Sequence, residues 1–187
     1  MRVRNILMDD KWLLTASEDE LKEFLIERLG SFFEHKPEVP GNFLVDSTPV
    51  KIDYLFYPKE DLINKGFPDK WFGVEVKSLG TKHEARVKKC LSACWQCITY
   101  RWCDFGGLRP YFILLFPNIK KFFLEREDTG ASPRYISALM QRGNVGEIYF
   151  GENQWEFRFG SQYFYRSDKG LGNVKNLGTK KHVGTKK

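Results

Sequence analysis

Three charged residues in two strand-like segments of this 187-residue chain have types and spacing that suit metal-assisted hydrolysis. Asp53 lies in the middle of the segment 50–57, and Glu75 and Lys77 lie in the segment 71–78. Because successive side chains of a strand point to opposite faces, Glu75 and Lys77 are predicted to project side by side. Carboxylates suit a hard divalent cation such as Mg²⁺ or Mn²⁺, and a neighbouring lysine can polarise water. The combination indicates hydrolysis of phosphodiester bonds.

Both segments are predicted strands, because each is a short apolar or β-branched run bounded by proline or charged residues. The same residues also fit an ordinary two-stranded hairpin with an exposed Glu-Lys pair, which would contribute under ~1 kcal/mol to stability. The two strands alone leave both interpretations open.

An aspartate on one strand followed by E-x-K on the next resembles the active-site motif of the PD-(D/E)XK nuclease superfamily. Ile52-Asp53 matches the first part, with isoleucine in place of proline, and Glu75-Val76-Lys77 matches the second. The resemblance implies an α/β fold with a restriction-endonuclease-like core, a central mixed β-sheet flanked by helices in the order αβββαβ. It also implies a Mg²⁺- or Mn²⁺-dependent deoxyribonuclease, in which Asp53 and Glu75 bind the metal and Lys77 orients the attacking water.

A helix is predicted over residues 17–34, because Ser17 and Glu20 match a capping box. Glu18 falls over the inward apolar stripe of this helix, whereas Glu20 points away from it. A carboxylate in the first turn also interacts favourably with the helix dipole, which would explain Glu18 without any chemistry. Glu18 resembles the glutamate of archaeal Holliday-junction resolvases, which implies a further metal ligand at Glu18, with Glu20 as the alternative.

A second helix is predicted over 84–103, directly after the E-x-K strand. Gln96 and Tyr100 form the pattern Q-x-x-x-Y, which resembles the extra motif of the RecB-like branch of the same superfamily. One helical turn apart, they can jointly contact a phosphate or orient the catalytic lysine. They are predicted on the outward face together with Lys89. The inward face is predicted to consist of Val87, Leu91, Cys94, Ile98 and Trp102.

All four cysteines of the chain, Cys90, Cys94, Cys97 and Cys103, fall in this second helix. Neighbours on one rigid helix rarely meet the geometry of a disulfide. The spacing is similar to that of iron-sulfur nucleases related to RecB, in which the cysteines follow the Q-x-x-x-Y helix instead of lying within it. Buried thiols are therefore predicted, with an iron-sulfur nuclease as the alternative.

The other elements are predicted to complete the core and the sheet. Pro37 and Pro40 are expected to separate the first helix from a first strand. Aromatic residues alternate along the last predicted strand, where they either pack on the core, the favoured arrangement, or stack on unpaired bases. The predicted strands are 41–46, 109–116, 146–150 and 155–159, with a helix over 132–142.

The formal net charge of +6 is concentrated at one end, because residues 166–187 hold seven Lys or Arg residues against one Asp. We therefore predict one nuclease-like domain over 1–165 and a flexible basic tail over 166–187, whose Lys180 and Lys181 contact DNA. No apolar run is long enough to cross a bilayer, and the first residues lack a signal-peptide core. A cytoplasmic protein with no membrane partner is predicted, and the oligomeric state, a homodimer included, stays open.

The main alternative is a non-catalytic nucleic-acid-binding protein on the same scaffold, which would use the basic tail and the aromatic strand. The presence of Asp53, Glu75 and Lys77 together favours the enzyme. A protein that only binds nucleic acid gains nothing from two carboxylates placed near phosphate. The sequence does not decide between endonuclease and exonuclease action, between DNA structures, or between DNA and RNA.

Overall fold

One mixed β-sheet organises the protein in the computed structural model, which describes residues 10–78, 80, 83–118 and 131–172. The predicted α/β class with a mixed sheet and flanking helices is confirmed. In these described residues the strands are β1 Phe33–Phe43, β2 Pro49–Pro58, β3 Phe72–Val76, β4 Cys103–Asp104, β5 Ile113–Phe116, β6 Val145–Phe150, β7 Trp155–Phe159, β8 Gln162–Arg166 and β9 Gly170–Leu171. The helices are α1 Asp10–Thr15, α2 Glu18–Leu29, α3 Glu60–Asn64, α4 His83–Tyr100 and α5 Ala131–Gly143.

The sheet has a parallel centre and antiparallel flanks, in the order β4-β1-β2-β3-β5-β6-β7-β8-β9. β1, β2 and β3 pair antiparallel, whereas β3, β5 and β6 pair parallel. Parallel neighbours need long crossover connections, and α4 and α5 lie in these connections. β3 therefore lies in the middle, between the antiparallel strand that carries Asp53 and the parallel strand β5.

Close packing at β3 depends on a glycine. A Cβ atom on Gly73 would lie 2.5 Å from the side chains of both Ile52 and Ile113. These two isoleucines are fully buried. The missing side chain thus lets them approach the β3 backbone, which fixes the strand that ends in Glu75 and Val76.

The helix predicted over 17–34 ends earlier, at Leu29, with Gly30 as its C-cap. The first strand, predicted over 41–46, therefore begins earlier, at Phe33. Pro37 and Pro40 lie inside this strand instead of ending the region before it. In the described part of the chain, β1 pairs along its length with β2, but with β4 only at its last two residues. Proline is tolerated on such an edge, because its missing N–H removes no bond there.

The buried face of α4 is rotated relative to the prediction. Trp102, which lies beyond the end of α4 at Tyr100, is 53% exposed, and Ile98 lies close to Gly143 of α5. Tyr100, predicted on the outward face, is 4% exposed. The small thiols of Cys90, Cys94 and Cys97 fill the face against the sheet, whereas Cys103, which was predicted in the same helix, lies in β4. All four cysteines are buried, as predicted, and free. Burial raises the pKa values of the Cys90 and Cys94 thiols to about 12, so they are protonated at neutral pH.

The C-terminal half of the sheet is longer than predicted. Trp155, Phe157 and Phe159 of β7 are buried among other aromatic rings, so they pack on the core and cannot stack on bases. Arg166 ends β8 and the chain continues into β9, so a flexible tail beginning at residue 166 is wrong for residues 166–172. Lys180 and Lys181 lie outside the described residues. Within the described part, no helix is long and apolar enough to span a membrane.

Candidate active site

The pairing of β2 with β3 brings Asp53 and Glu75 together. Tyr54 faces Val74 in antiparallel register, so the next residue toward the candidate site on each strand is one of the two acids. Both are buried, with 8% and 3% of their surface exposed. Their side chains share a hydrogen bond. Two carboxylates from neighbouring strands are thus held in direct contact below the protein surface.

Asp53 is held through both of its oxygens. Its Oδ2 atom accepts a 2.8 Å hydrogen bond from the Val76 main-chain N–H, and its Oδ1 atom lies 2.7 Å from the Lys22 ammonium. The first partner belongs to the rigid sheet, and the second is the end of a long side chain on α2. Asp53 is therefore fixed in place on one side and paired with a movable cation on the other.

Glu75 is the most perturbed carboxyl group of the site. Burial, together with the neighbouring charge of Asp53, raises its pKa to about 8. Lys77 opposes this shift without cancelling it. Two acids in contact cannot both ionise at low cost, so at neutral pH Glu75 holds a proton that its hydrogen bond with Asp53 can use.

Lys77 and Glu18 form the more exposed rim above these acids. The Lys77 ammonium lies 3.6 Å from Glu18 Oε2 and 3.9 Å from Glu75 Oε1. Its side chain is 26% exposed, and that of Glu18 is 38% exposed. The main-chain N–H of Lys77 donates to Phe116 O of β5, which extends the sheet past the end of β3. Lys77 therefore has a fixed backbone and a side chain that reaches solvent.

The structure separates Glu18 from Glu20, its alternative. Glu20 completes a capping box, in which its carboxylate accepts hydrogen bonds from the N–H and hydroxyl of Ser17. These bonds lower the pKa of Glu20 and hold its side chain at the first turn of α2. Glu18 instead points to Lys77 and Lys22. Only Glu18 of this pair contacts the group around Asp53.

Lys22, Glu38 and Lys51 belong to the site although the sequence patterns did not predict them there. Lys22 Nζ lies 2.6 Å from Glu38 Oε1, and the other carboxylate oxygen of Glu38 pairs with Lys51. The lysines lower the pKa of Glu38 to about 2. Lys22 was detectable, because it lies one helical turn after Glu18 on the same face. No sequence pattern pointed to Glu38, which itself has a left-handed backbone within β1, with φ of 50°.

The Q-x-x-x-Y residues lie beneath the site. The Tyr100 hydroxyl donates a 2.8 Å hydrogen bond to Lys51 O and lies beside Glu75. Burial, followed by the charge of Glu75, raises its pKa. Gln96 is half-buried, and in the described structure its Oε1 atom has no hydrogen-bond partner. Tyr100 is therefore fixed beside Glu75. No described contact shows where Gln96 and Tyr100 would bind a phosphate.

Lys89, a predicted DNA contact, lies near the end of β3. Its ammonium donates a 3.0 Å hydrogen bond to Ser78 O, and the Ser78 hydroxyl donates to Ala16 O. Lys89 is exposed. It thus ties α4 to the segment after Lys77 and presents a positive charge beside the rim.

The carboxylates of this site offer oxygen ligands to a divalent cation. Among the described residues, no group of three or more His, Cys, Asp or Glu side chains is arranged to hold a metal ion. Asp53 and Glu75 nevertheless present hard carboxylate oxygens side by side, and their contact requires a proton that a cation would replace. The pair fits such a cation, with Glu18 the nearest further carboxylate across Lys77.

The electrostatic composition of the site is balanced. Four carboxylates, those of Glu18, Glu38, Asp53 and Glu75, are interleaved with the ammonium groups of Lys22, Lys51 and Lys77. With Glu75 protonated, the charges cancel. Removing that proton leaves one excess negative charge beside Asp53, which attracts a cation.

Comparison with known proteins does not assign a function to this site. No protein-family model matches the chain, and no match is found among curated proteins or among solved structures. Any function of the chain must therefore be inferred from the paired acids, the lysine at their rim and the elements that position them.

Proposed function

We propose that the protein is a Mg²⁺- or Mn²⁺-dependent DNA nuclease of the PD-(D/E)XK type, with α2, β1, β2, β3, α4 and β5 as a restriction-endonuclease-like core in the order αβββαβ. The observation that carries the proposal is the buried hydrogen-bonded pair of Asp53 and Glu75 with Lys77 at its rim. The pair requires a cation or a proton, and the lysine provides a positive charge where a phosphate would approach. The proposal places this reaction on cytoplasmic DNA.

Asp53 and Glu75 would hold the cation, with Glu18 as a further ligand or as the acceptor of a bound water. A divalent cation bound there would polarise a phosphate oxygen and lower the pKa of an attacking water. The Val76 N–H holds Asp53, and Glu75 is buried beside it, so neither acid needs a large movement when substrate arrives. This preorganisation supports a catalytic arrangement.

Lys77 would act on the reacting phosphate and water. Its ammonium contacts Glu75 and Glu18 at 3.9 and 3.6 Å, close enough to orient a water between them. Its charge would also stabilise the negative charge that grows on the phosphate in the transition state. Lys89, at the Ser78 carbonyl, would contact the neighbouring DNA backbone and contribute to binding instead of chemistry.

A non-catalytic nucleic-acid-binding protein on the same scaffold remains the second candidate. It is favoured by one observation, the direct pairing of Lys22 with Asp53, which gives the site a neutral state without any metal. Its other support has weakened, because the aromatic residues of β7 are buried in the core. A cleavage assay separates the two candidates.

The test incubates purified protein with circular and end-labelled linear DNA, with and without Mg²⁺ or Mn²⁺. We expect metal-dependent cleavage by the wild type and its loss in Asp53→Asn. The matched control is Asp69→Asn, because Asp69 is an exposed carboxylate that pairs with Tyr57 away from the site. Cleavage of circular DNA would assign endonuclease action. DNA binding without cleavage under any condition would select the second candidate, and equal cleavage by Asp53→Asn would reject the proposed site.

A further inference from the structure

The Lys22 ammonium occupies a position surrounded by carboxylates from three elements. It lies 2.7 Å from Asp53 Oδ1 on β2, 2.6 Å from Glu38 Oε1 on β1 and 3.8 Å from Glu18 Oε1 on its own helix. The Lys22 side chain is 17% exposed. Three carboxylate oxygens around one positive charge is the environment that proteins also provide for a bound cation.

Lys22 and a divalent cation cannot share Asp53 freely. The Oδ2 atom of Asp53 is tied to the Val76 N–H, which belongs to the sheet and does not move. The Oδ1 atom faces Lys22 at hydrogen-bonding distance. A cation bound at Asp53 would lie within a few ångströms of the ammonium, where two positive charges repel each other strongly in a partly buried site.

Glu38 offers Lys22 an alternative partner that needs no large movement. The Lys22 ammonium already contacts Glu38, so releasing Asp53 leaves one ion pair intact. Glu38 stays ionised at neutral pH, since Lys22 and Lys51 lower its pKa to about 2. Burial disfavours the charge on Lys22, but its bonds to Asp53 and Glu38 outweigh burial and raise its pKa. The lysine therefore stays charged wherever it lies within this group.

We propose that Lys22 is a positioning residue that serves as the built-in cation of Asp53: it holds this carboxylate in the metal-free protein and shifts onto Glu38 when a divalent cation binds. The inference rests on the proposed function, because it assigns the metal to Asp53 and Glu75. It adds that metal binding is a competition between two cations, so that the wild type binds metal more weakly than its carboxylates alone would allow.

The first test compares Mn²⁺ affinity by isothermal titration calorimetry in the full-length wild type, Lys22→Met and Lys59→Met. Lys22→Met is expected to bind Mn²⁺ about tenfold more tightly, since it lacks a charge-assisted hydrogen bond that metal must break. Lys59→Met is the matched control, because Lys59 is an exposed lysine whose ammonium donates to Gly30 O and Ser31 O, at the opposite end of α2 from Glu18. Its Mn²⁺ affinity is expected to equal that of the wild type. Equal or weaker binding by Lys22→Met overturns the inference.

The second test needs no variant to fold, because it observes Lys22 in the wild type. Lysine ammonium resonances are recorded by NMR in protein labelled with ¹³C and ¹⁵N, during titration with Mg²⁺. The Lys22 signal, assigned by correlating its ammonium with its own backbone through the labelled side-chain carbons, is expected to shift as the cation binds, while the Lys59 signal shifts less. An unmoved Lys22 signal at saturating Mg²⁺ overturns the inference and leaves the proposed metal site standing. Absence of metal binding by both the wild type and Lys22→Met overturns the inference and the proposed site together.

Discussion

Buried carboxylates in two regions of the sheet are stabilised in different ways. Asp53 and Glu75, on β2 and β3, contact each other and rely on lysines. Glu156 on β7 is 7% exposed and pairs with two arginines, Arg158 and Arg166. Guanidinium groups stay charged at all relevant pH values and form directional bonds with carboxylates. The charge of Glu156 is therefore balanced by permanent charges, whereas the Asp53 group needs a proton or a cation.

Under the proposed function, the difference gives the two groups of buried charges different roles. A carboxylate with permanent counter-charges gains nothing from metal, so the Glu156 group fastens β7 and β8. Two carboxylates that share a proton can exchange that proton for a divalent cation. Perturbed acids of this kind are typical of functional sites, and the raised pKa of Glu75 marks this site. Five predictions test the contrast.

The largest expected effect is at Lys77, where the site should fail chemically while still binding metal. We expect Lys77→Met to lower kcat by about 100- to 1000-fold, as for the removal of one group that stabilises transition-state charge. Mn²⁺ affinity should not weaken, because the lysine repels the cation. Lys89→Met is the control and should raise KM for DNA with little change in kcat. Single-turnover cleavage measures the rate of the chemical step, and calorimetry measures the affinity for Mn²⁺. A matching loss of Mn²⁺ affinity in Lys77→Met would contradict this role.

The second prediction concerns stability and the Glu156 group. We expect Glu156→Gln to lower the free energy of unfolding by about 1–3 kcal/mol, because it leaves two arginine side chains without their shared charge. The rate of cleavage at saturating DNA should be unchanged. Urea unfolding monitored by fluorescence provides the free energy. If Glu156→Gln instead abolished cleavage and left stability unchanged, the contrast between the two groups would be wrong.

The third prediction follows from the raised pKa of Glu75. Its pKa lies near 4.5 in the unfolded chain and at about 8 in the folded protein, so the folded state binds one more proton between these values. Stability of the metal-free protein should therefore fall as pH rises through this window, by at most about 1.4 kcal/mol per pH unit from this group. Glu75→Gln, which stays neutral, should remove that part of the slope. Urea unfolding at several pH values checks it, and an identical slope in both proteins would refute the shift.

Much of this site could be predicted from sequence, because local patterns determine it. The strands that carry Asp53 and Glu75 are apolar runs with clear boundaries, and both lie where the pattern placed them. The capping box of Ser17 and Glu20 fixed the start of α2, and with it the direction in which Glu18 points. Short-range rules of spacing and capping were sufficient for these residues.

Long-range pairing determined what the sequence did not reveal. Pro37 and Pro40 suggested a break, but the edge position of β1 makes them acceptable in a strand. The buried face of α4 depends on its contact with α5, and the spacing of residues within α4 does not reveal that contact. The partner of Asp53 is Lys22, a residue of another element, and sequence spacing cannot identify such a pair. Counter-charges assembled from separate elements are visible only in the folded chain.

The fourth prediction separates two glutamates of one helical turn. Glu18→Gln should lower kcat by about tenfold, a size typical of a residue that supports metal ligands, with little effect on stability. Glu20→Gln should preserve kcat and stability, because glutamine can still close the capping box. Steady-state cleavage and thermal unfolding of both variants provide the comparison. The reverse pattern would move the functional assignment to Glu20.

The smallest expected effect lies in the basic residues beyond β9, and it tests which charges are free to meet DNA. Arg166 is committed to the sheet, since it pairs with Glu156 and Asp168. Residues 173–187 contain five lysines and no acidic residue, so they hold most of the net charge. Deleting 173–187, and keeping Arg166, should therefore weaken DNA binding without lowering kcat at saturating DNA.

The measurement for this last prediction is the dependence of DNA affinity on salt. For every phosphate that the shortened protein no longer neutralises, the slope of log affinity against log salt should fall by roughly 0.7 to 0.9. Arg166→Ala is the contrasting variant: it should lower stability through Glu156 and leave the salt slope nearly unchanged. An unchanged slope after the deletion would show that residues 173–187 do not bind DNA, and the attraction would then have to come from lysines beside the site, such as Lys89.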